Sequence, residues 1–264
     1  MSTWKIEKVG KVSKLNDPVL IEGLPGIGNV GKIAVDFLID ELKAKKIFKF
    51  SSYTFPHSVF VNEKNLVELP SIEMYYAQRK GKNDLLLLAG DVQPIDEVSC
   101  YEFSDAVIDT ISGLGAKEIV ALGGIGLQEI PKKPKVYCTG NSKNLIKKYK
   151  KGSEIDNNLY GVVGPIIGAS GLLLGLSEKK KIEAIALLAE TFGHPMYLGV
   201  KGAREILKIL DKQFNLKINL KELDSEISKI EHEVLKRTED LSEVTKKTAL
   251  SKLKHKLSET SYIG

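Results

Sequence analysis

Two uninterrupted apolar runs limit what this chain can fold into more than any other feature. Asp84-Leu85-Leu86-Leu87-Leu88-Ala89-Gly90 and Glu118-Ile119-Val120-Ala121-Leu122-Gly123 are each of strand length, and their apolar stretches lack polar alternation. A strand with one wet face alternates apolar and polar side chains. Runs without that alternation suit strands covered on both faces, as in a mostly parallel sheet. A parallel pair needs a long crossover, usually a helix. Residues 96–115 between the two runs are long enough for one, ending at glycine.

The same alternation extends along most of the chain. Pro18-Val19-Leu20-Ile21 reads as a strand running into a glycine-rich turn. A helix follows, with Val30, Ile33, Ala34, Phe37, Leu38 and Leu42 at i+3/i+4 spacing and Asn29 as its N-cap. Residues 47–50, 58–61 and 66–74 read as strands. Residues 181–190 read as another, being short and bounded by a lysine run and Gly193, and residues 199–214 as a helix. The expected fold is α/β: residues 1–214 as a core domain with a single, mostly parallel open sheet flanked by helices. Beyond it Leu220, Leu223, Ile227, Ile230 and Val234 fall three and four residues apart among charged neighbours. Arg237 interrupts the series before Leu241 and Val244 resume it. This heptad-like seam predicts a helical extension over residues 215–257, followed by a flexible tail at 258–264.

With 264 residues, 42% hydrophobic and 28% charged, the composition is that of a globular chain. It excludes a disordered chain, a collagen-like repeat and a small disulfide scaffold. A net charge of +5 does not mark a nucleic-acid binder. Cys100 and Cys138 stand in no metal-ligand spacing. No leading apolar run follows a basic segment, and the apolar runs are far shorter than the ~18–20 residues of a membrane span. The expectation is a soluble, cytoplasmic protein with no membrane partner.

Gly26-Ile27-Gly28-Asn29-Val30-Gly31 matches G-x-G-x-x-G between a predicted strand and a predicted helix, where a pyrophosphate could sit on a helix N-terminus. The acidic residue that would hold a ribose about 20 residues on is missing, since Ser51 and Ser52 stand there. The same residues fall one short of a P-loop, because Ile33 occupies the place of the magnesium-binding hydroxyl. Two readings stay open: a tight turn packed closely on the sheet, or a nucleoside- or phosphate-binding loop at Gly26, Gly28 and Gly31. A second cluster, Gly123-Gly124-Ile125-Gly126, follows a buried strand and could join that pocket through Gly124 and Gly126. The third, Gly164-Pro165-Ile166-Ile167-Gly168-Ala169-Ser170-Gly171, contains no G-x-S-x-G nucleophile elbow. His57, His194, His232 and His255 are scattered, with no metal-binding or catalytic spacing. Residues 132–151 hold eight lysines and no acidic residue, which reads as a solvated basic loop. With no arginine and only Tyr137 and Tyr149 for stacking, it does not argue for nucleic acid.

Taken together, these motifs carry a resemblance. Leu24-Pro25-Gly26-Ile27-Gly28-Asn29-Val30-Gly31 resembles the first signature of the proteasome assembly chaperone family, the group of archaeal Pba proteins. Phe55-Pro56-His57-Ser58 and Leu69-Pro70 are similar to that family's following loop and strand. Gly164 through Leu173 and Leu187-Leu188-Ala189-Glu190-Thr191 resemble its second half, so the likeness spans roughly residues 19–210. It implies an α/β domain akin to nucleoside-phosphorylase folds, with no known active site and no cofactor. It also implies ring-like homo-oligomers that bind the α ring of the 20S proteasome core particle.

Docking in that family often uses a C-terminal hydrophobic–Tyr–any tripeptide. Here the chain reads Ser261-Tyr262-Ile263-Gly264, with the tyrosine third from the end. Tyr262, Ile263 and Gly264 are therefore the expected proteasome-binding residues, in a shifted register. The resulting expectation is a non-enzymatic assembly chaperone or activator.

Overall fold

The computed structural model describes residues 3–12, 14–156, 158, 164–221 and 224–225. The chain divides into two compact units, Met1–Asn219 and Leu220–Gly264. The heptad-like seam and the tail fall almost wholly outside the described residues.

The first unit runs β1 (Trp4–Lys8), β2 (Val19–Gly23), α1 (Val30–Glu41), β3 (Lys45–Ser52), β4 (Phe60–Val61), β5 (Val67–Glu68), β6 (Ile72–Ala77), β7 (Leu85–Gly90) and α2 (Glu97–Gly113). It continues with β8 (Glu118–Leu127), β9 (Val136–Gly140), α3 (Lys143–Lys150), β10 (Ile155–Asp156), α4 (Ala169–Leu176), β11 (Glu183–Phe192) and α5 (Val200–Phe214). Nine strands form one sheet in the order β1-β3-β6-β7-β2-β8-β11-β9-β10, while β4 and β5 pair as a separate hairpin. The chain is α/β with helices on both faces of a large sheet. Its centre, β7-β2-β8-β11, is parallel. The β1-β3-β6-β7 side is antiparallel, as is the β11–β9 pair.

The two apolar runs form β7 and β8, which flank β2 in that parallel centre and are buried on both faces. Leu20, Leu86, Leu88, Ile119 and Ala121 pack in one core with Phe103, Val107 and Ile111 of α2 and Leu173 of α4. Their alternates Val19, Ile21, Leu85, Leu87 and Val120 are buried too and point to the opposite face. There α1 lies on β2, β7 and β8, and α5 lies on β11.

Helix ends follow the local chemistry. Asp96 caps α2, its carboxylate accepting from the Ser99 N–H at 2.8 Å. Beyond the C-terminus, Gly115 takes a φ of 86°, which a side chain would resist. Asn29 sits at the N-cap of α1 in the left-handed region, but its side chain makes no capping bond.

Some expectations need correction. Residues 66–74 are not one strand: Pro70 separates the short β5 from β6. Gly123-Gly124-Ile125-Gly126 does not follow a strand; β8 continues through it, paired in parallel with residues 188–191 of β11. Residues 132–151 are not a loop, since they contain β9 and α3. β1, unanticipated, is held by Trp4, whose ring lies 4.7 Å from that of Phe103 and whose indole N–H donates to the Ser99 carbonyl at 3.1 Å. Cys100 and Cys138 are buried, free thiols.

Candidate functional site

In an open parallel sheet, ligand sites form beyond the carboxyl ends of neighbouring strands whose connections depart in opposite directions. Here that point lies between β2 and β8. After β2 the chain leaves through α1 toward β3; after β8 it leaves toward β9 on the other side. A crevice of about 810 Å³ opens there, walled by the turn after β2, the segment after β7, the end of β8 and residues 164–172. The first and third glycine motifs and the end of β8 thus converge, although they are far apart in sequence.

Gly26 lines the crevice with free space beside its α-carbon, and Gly124 and Gly126 line it from β8. Gly31 carries the close packing. A β-carbon there would overlap the Leu122 carbonyl oxygen, so the first turn of α1 rests backbone-to-backbone on β8. Gly28 adopts a φ of 62°, and a β-carbon on it would lie 2.7 Å from the Thr191 hydroxyl. That hydroxyl is fully buried and finds no hydrogen-bond partner among the described residues. The turn therefore sits against the end of β11, and the Gly28 carbonyl accepts from the Gly199 N–H at 2.7 Å.

The walls are stitched together by Gln93. Its amide donates to the Pro25 carbonyl at 2.7 Å, and its oxygen accepts from the Ala169 N–H at the start of α4 at 3.4 Å. Below the crevice lies Glu22, a carboxyl with no exposed surface. It accepts from the Leu24 N–H and from the Ser170 hydroxyl, each at 2.9 Å. Burial raises its pKa to about 7, although both hydrogen bonds pull the other way. Sequence reasoning passed over Glu22, yet the signal was present: a carboxylate inside an apolar five-residue strand. Cys100, also on the wall, has its thiol pushed up by burial and then by Asp96 and Glu22, so it carries no activated thiolate.

The lining has a distinct electrostatic character. Among the described residues Asp96 and Glu97 are its only carboxylates, and no Lys, Arg or His lines it. Phosphate sites usually add a basic side chain to the backbone N–H groups of a helix N-terminus, and none of the described residues supplies one here.

The basic segment lies elsewhere and is partly neutralised. Lys148 pairs with Glu118 at 2.7 Å and Lys135 with Asp156 at 3.3 Å, both acids lying outside the segment. The Glu118 carboxylate also accepts from the Tyr149 hydroxyl at 2.6 Å. Glu190, from the last of the family-like motifs, accepts from the Tyr137 hydroxyl at 3.0 Å and the Lys135 N–H at 2.9 Å, tying β9 to β11. His194 is a turn residue whose Nδ1 accepts from the Met196 N–H at 3.2 Å. Tyr262, Ile263 and Gly264 lie outside the described residues. No helix among the described residues is long and apolar enough to cross a membrane.

Comparison with known proteins defines the class that this fold and crevice represent. The profile of the PAC2 family matches residues 20–237, and the chain belongs to that family. It is 33% identical to Pyrococcus furiosus PbaB, described as an archaeal proteasome activator. That likeness covers 90% of this chain and 100% of PbaB, with a TM-score of 0.80. Pyrococcus furiosus PbaA, described as an archaeal homolog of proteasome-assembly chaperone, is 25% identical over 91% of this chain and 100% of its own, with a TM-score of 0.68. An uncharacterized protein of Methanocaldococcus jannaschii is 32% identical over 87% of this chain and 90% of its own length.

Proposed function

We propose that this chain is a non-enzymatic, cytoplasmic binding protein that docks on the 20S core particle of an archaeal-type proteasome, as an assembly chaperone or activator. The observation that carries this reading is the full-length likeness to PbaB, 33% identical over 90% of this chain. The likeness to PbaA supports the same class of partner. The buried thiols, whose pKa burial raises, and a crevice with no basic side chain among the described residues favour binding over catalysis.

In this reading the chain assembles as a ring-like homo-oligomer, and Tyr262, Ile263 and Gly264 engage the α ring. A three-residue tail buries little surface alone. Several tails presented by one ring raise avidity ~100–10,000-fold over a single one. The test is co-sedimentation with half-assembled and with mature core particles side by side. An assembly chaperone binds the half-assembled form preferentially, and an activator binds the mature one. Binding to neither overturns the reading. Protein-dependent hydrolysis of ATP or GTP by pure material would contradict its non-enzymatic part.

A further inference from the structure

The crevice between β2 and β8 combines three properties. First, its mouth is apolar and wet: Ile167 is 83% exposed, Ile95 75% and Ile27 52%. Exposed apolar side chains gathered at one opening mark an interaction site more often than single ones scattered over a surface. Second, its charge is of one sign. Lys and Arg make up 39 of 264 residues, yet among the described residues none lines the crevice, whose carboxylates there are the exposed Asp96 and Glu97. Third, its floor offers an acceptor. The Ser170 hydroxyl donates its proton to buried Glu22, which leaves the oxygen's lone pairs for an incoming N–H.

We propose that this crevice is a docking groove for an apolar peptide segment carrying lysine or arginine, presented by a protein partner. The apolar side chains of such a segment cover Ile95 and Ile167. Its cationic group meets Asp96 and Glu97 at the rim, with Ser170 available to a donor that reaches the floor. Charge complementarity selects this occupant. An acidic or phosphorylated segment would bring its charge against two carboxylates, with no basic side chain among the described lining residues to offset them. The Gln93 bridge between the two walls keeps the groove preformed. The proposal uses none of residues 258–264, and its test involves no proteasome, so the two proposals fail independently.

The experiment is fluorescence anisotropy of the full chain with two labelled decapeptides, one alternating leucine and lysine, the other leucine and glutamate. The Leu/Lys peptide is expected to bind saturably and the Leu/Glu peptide not to bind. Glu97→Lys and the double variant Ile95→Ser/Ile167→Ser should each weaken Leu/Lys binding about tenfold, a size in keeping with charge reversal and lost apolar contact. All three positions are exposed, so both variants should retain the wild-type circular dichroism and melting temperature. Lys147→Glu, at an exposed residue of α3 that does not line the crevice, should leave binding unchanged. Equal binding of the two peptides, or Leu/Lys binding indifferent to the crevice variants, overturns the proposal. Displacement of the Leu/Lys peptide by millimolar inorganic phosphate but not by matched chloride would also overturn it, making the crevice an anion site.

Discussion

The crevice and the lysine-rich segment show opposite relations between sequence and surface. Residues 132–151 look like a single block of positive charge, but folding places Glu118 and Asp156 beside Lys148 and Lys135. The crevice is assembled from glycines, prolines and aliphatic residues in three distant motifs, and among the described residues its charge comes only from Asp96 and Glu97. A charge run is mostly solvated side chain and tolerates almost any placement. Close backbone approach tolerates very few placements, so glycine motifs say more about where a site forms than charge does.

The comparison predicts a steep gradient of mutational cost. The largest effect falls on Gly31→Ala, which drives a β-carbon into the Leu122 carbonyl on β8. We expect a loss of ~3 kcal/mol in urea denaturation, the upper end of ordinary overpacking. A loss below ~0.5 kcal/mol would mean that α1 does not rest on the sheet as described.

Glu22→Gln tests the buried carboxyl. Its pKa rises from 4.5 to about 7 in the folded state, so the folded chain binds more protons than the unfolded one between those values. Its contribution to stability is complete below about pH 4.5 and is lost as pH rises through 7. The loss amounts to ~3 kcal/mol at 1.36 kcal/mol per pH unit. The glutamine variant should lack this decline, so denaturation at pH 5 and pH 8 should show its advantage over wild type growing with pH. Parallel profiles for the two proteins would place the Glu22 carboxyl in a wetter environment.

A smaller gain is expected at Thr191, whose buried hydroxyl has no partner among the described residues. Thr191→Val keeps the shape, removes the unsatisfied group and should stabilise the chain by ~1 kcal/mol by thermal denaturation. Loss of stability would reveal a partner for that hydroxyl. The smallest effect belongs to the basic segment. Lys148 is half-exposed in its pair with Glu118. Lys148→Ala should cost less than ~1 kcal/mol, as exposed pairs usually do. A larger cost would erase the contrast between the two regions.

What could be read from the sequence depended on how local the determinant was. The parallel centre was legible because a strand buried on both faces needs an unbroken apolar run, as in residues 85–89. Helix α2 was legible from Asp96 at one end and Gly115 at the other, which are local signals. The antiparallel flank was harder. β1 gains its apolar contact from Trp4 against Phe103, nearly a hundred residues away, and Pro70 divides what looks like one strand. Gly123-Gly124-Ile125-Gly126 stays in β8 because residues 188–191 supply a partner strand that nothing nearby announces. At the site, the glycine turn was visible, while the role of Glu22 depended on Ser170, 148 residues away. The single sign of the crevice's charge emerges only when Asp96 and Glu97 meet walls whose described residues include no lysine.

The central claim, that this PAC2-family chain acts by docking on a proteasome core, is tested most directly by sedimentation velocity of archaeal 20S core particles titrated with the full chain. The account predicts a saturable shift of the core to faster sedimentation. It also predicts loss of that shift when Tyr262, Ile263 and Gly264 are deleted, with the oligomer itself intact. A core particle whose sedimentation stays unchanged at saturating wild-type chain would contradict the account. An unchanged affinity after the deletion would instead assign docking to the folded body and remove the tail from the proposal.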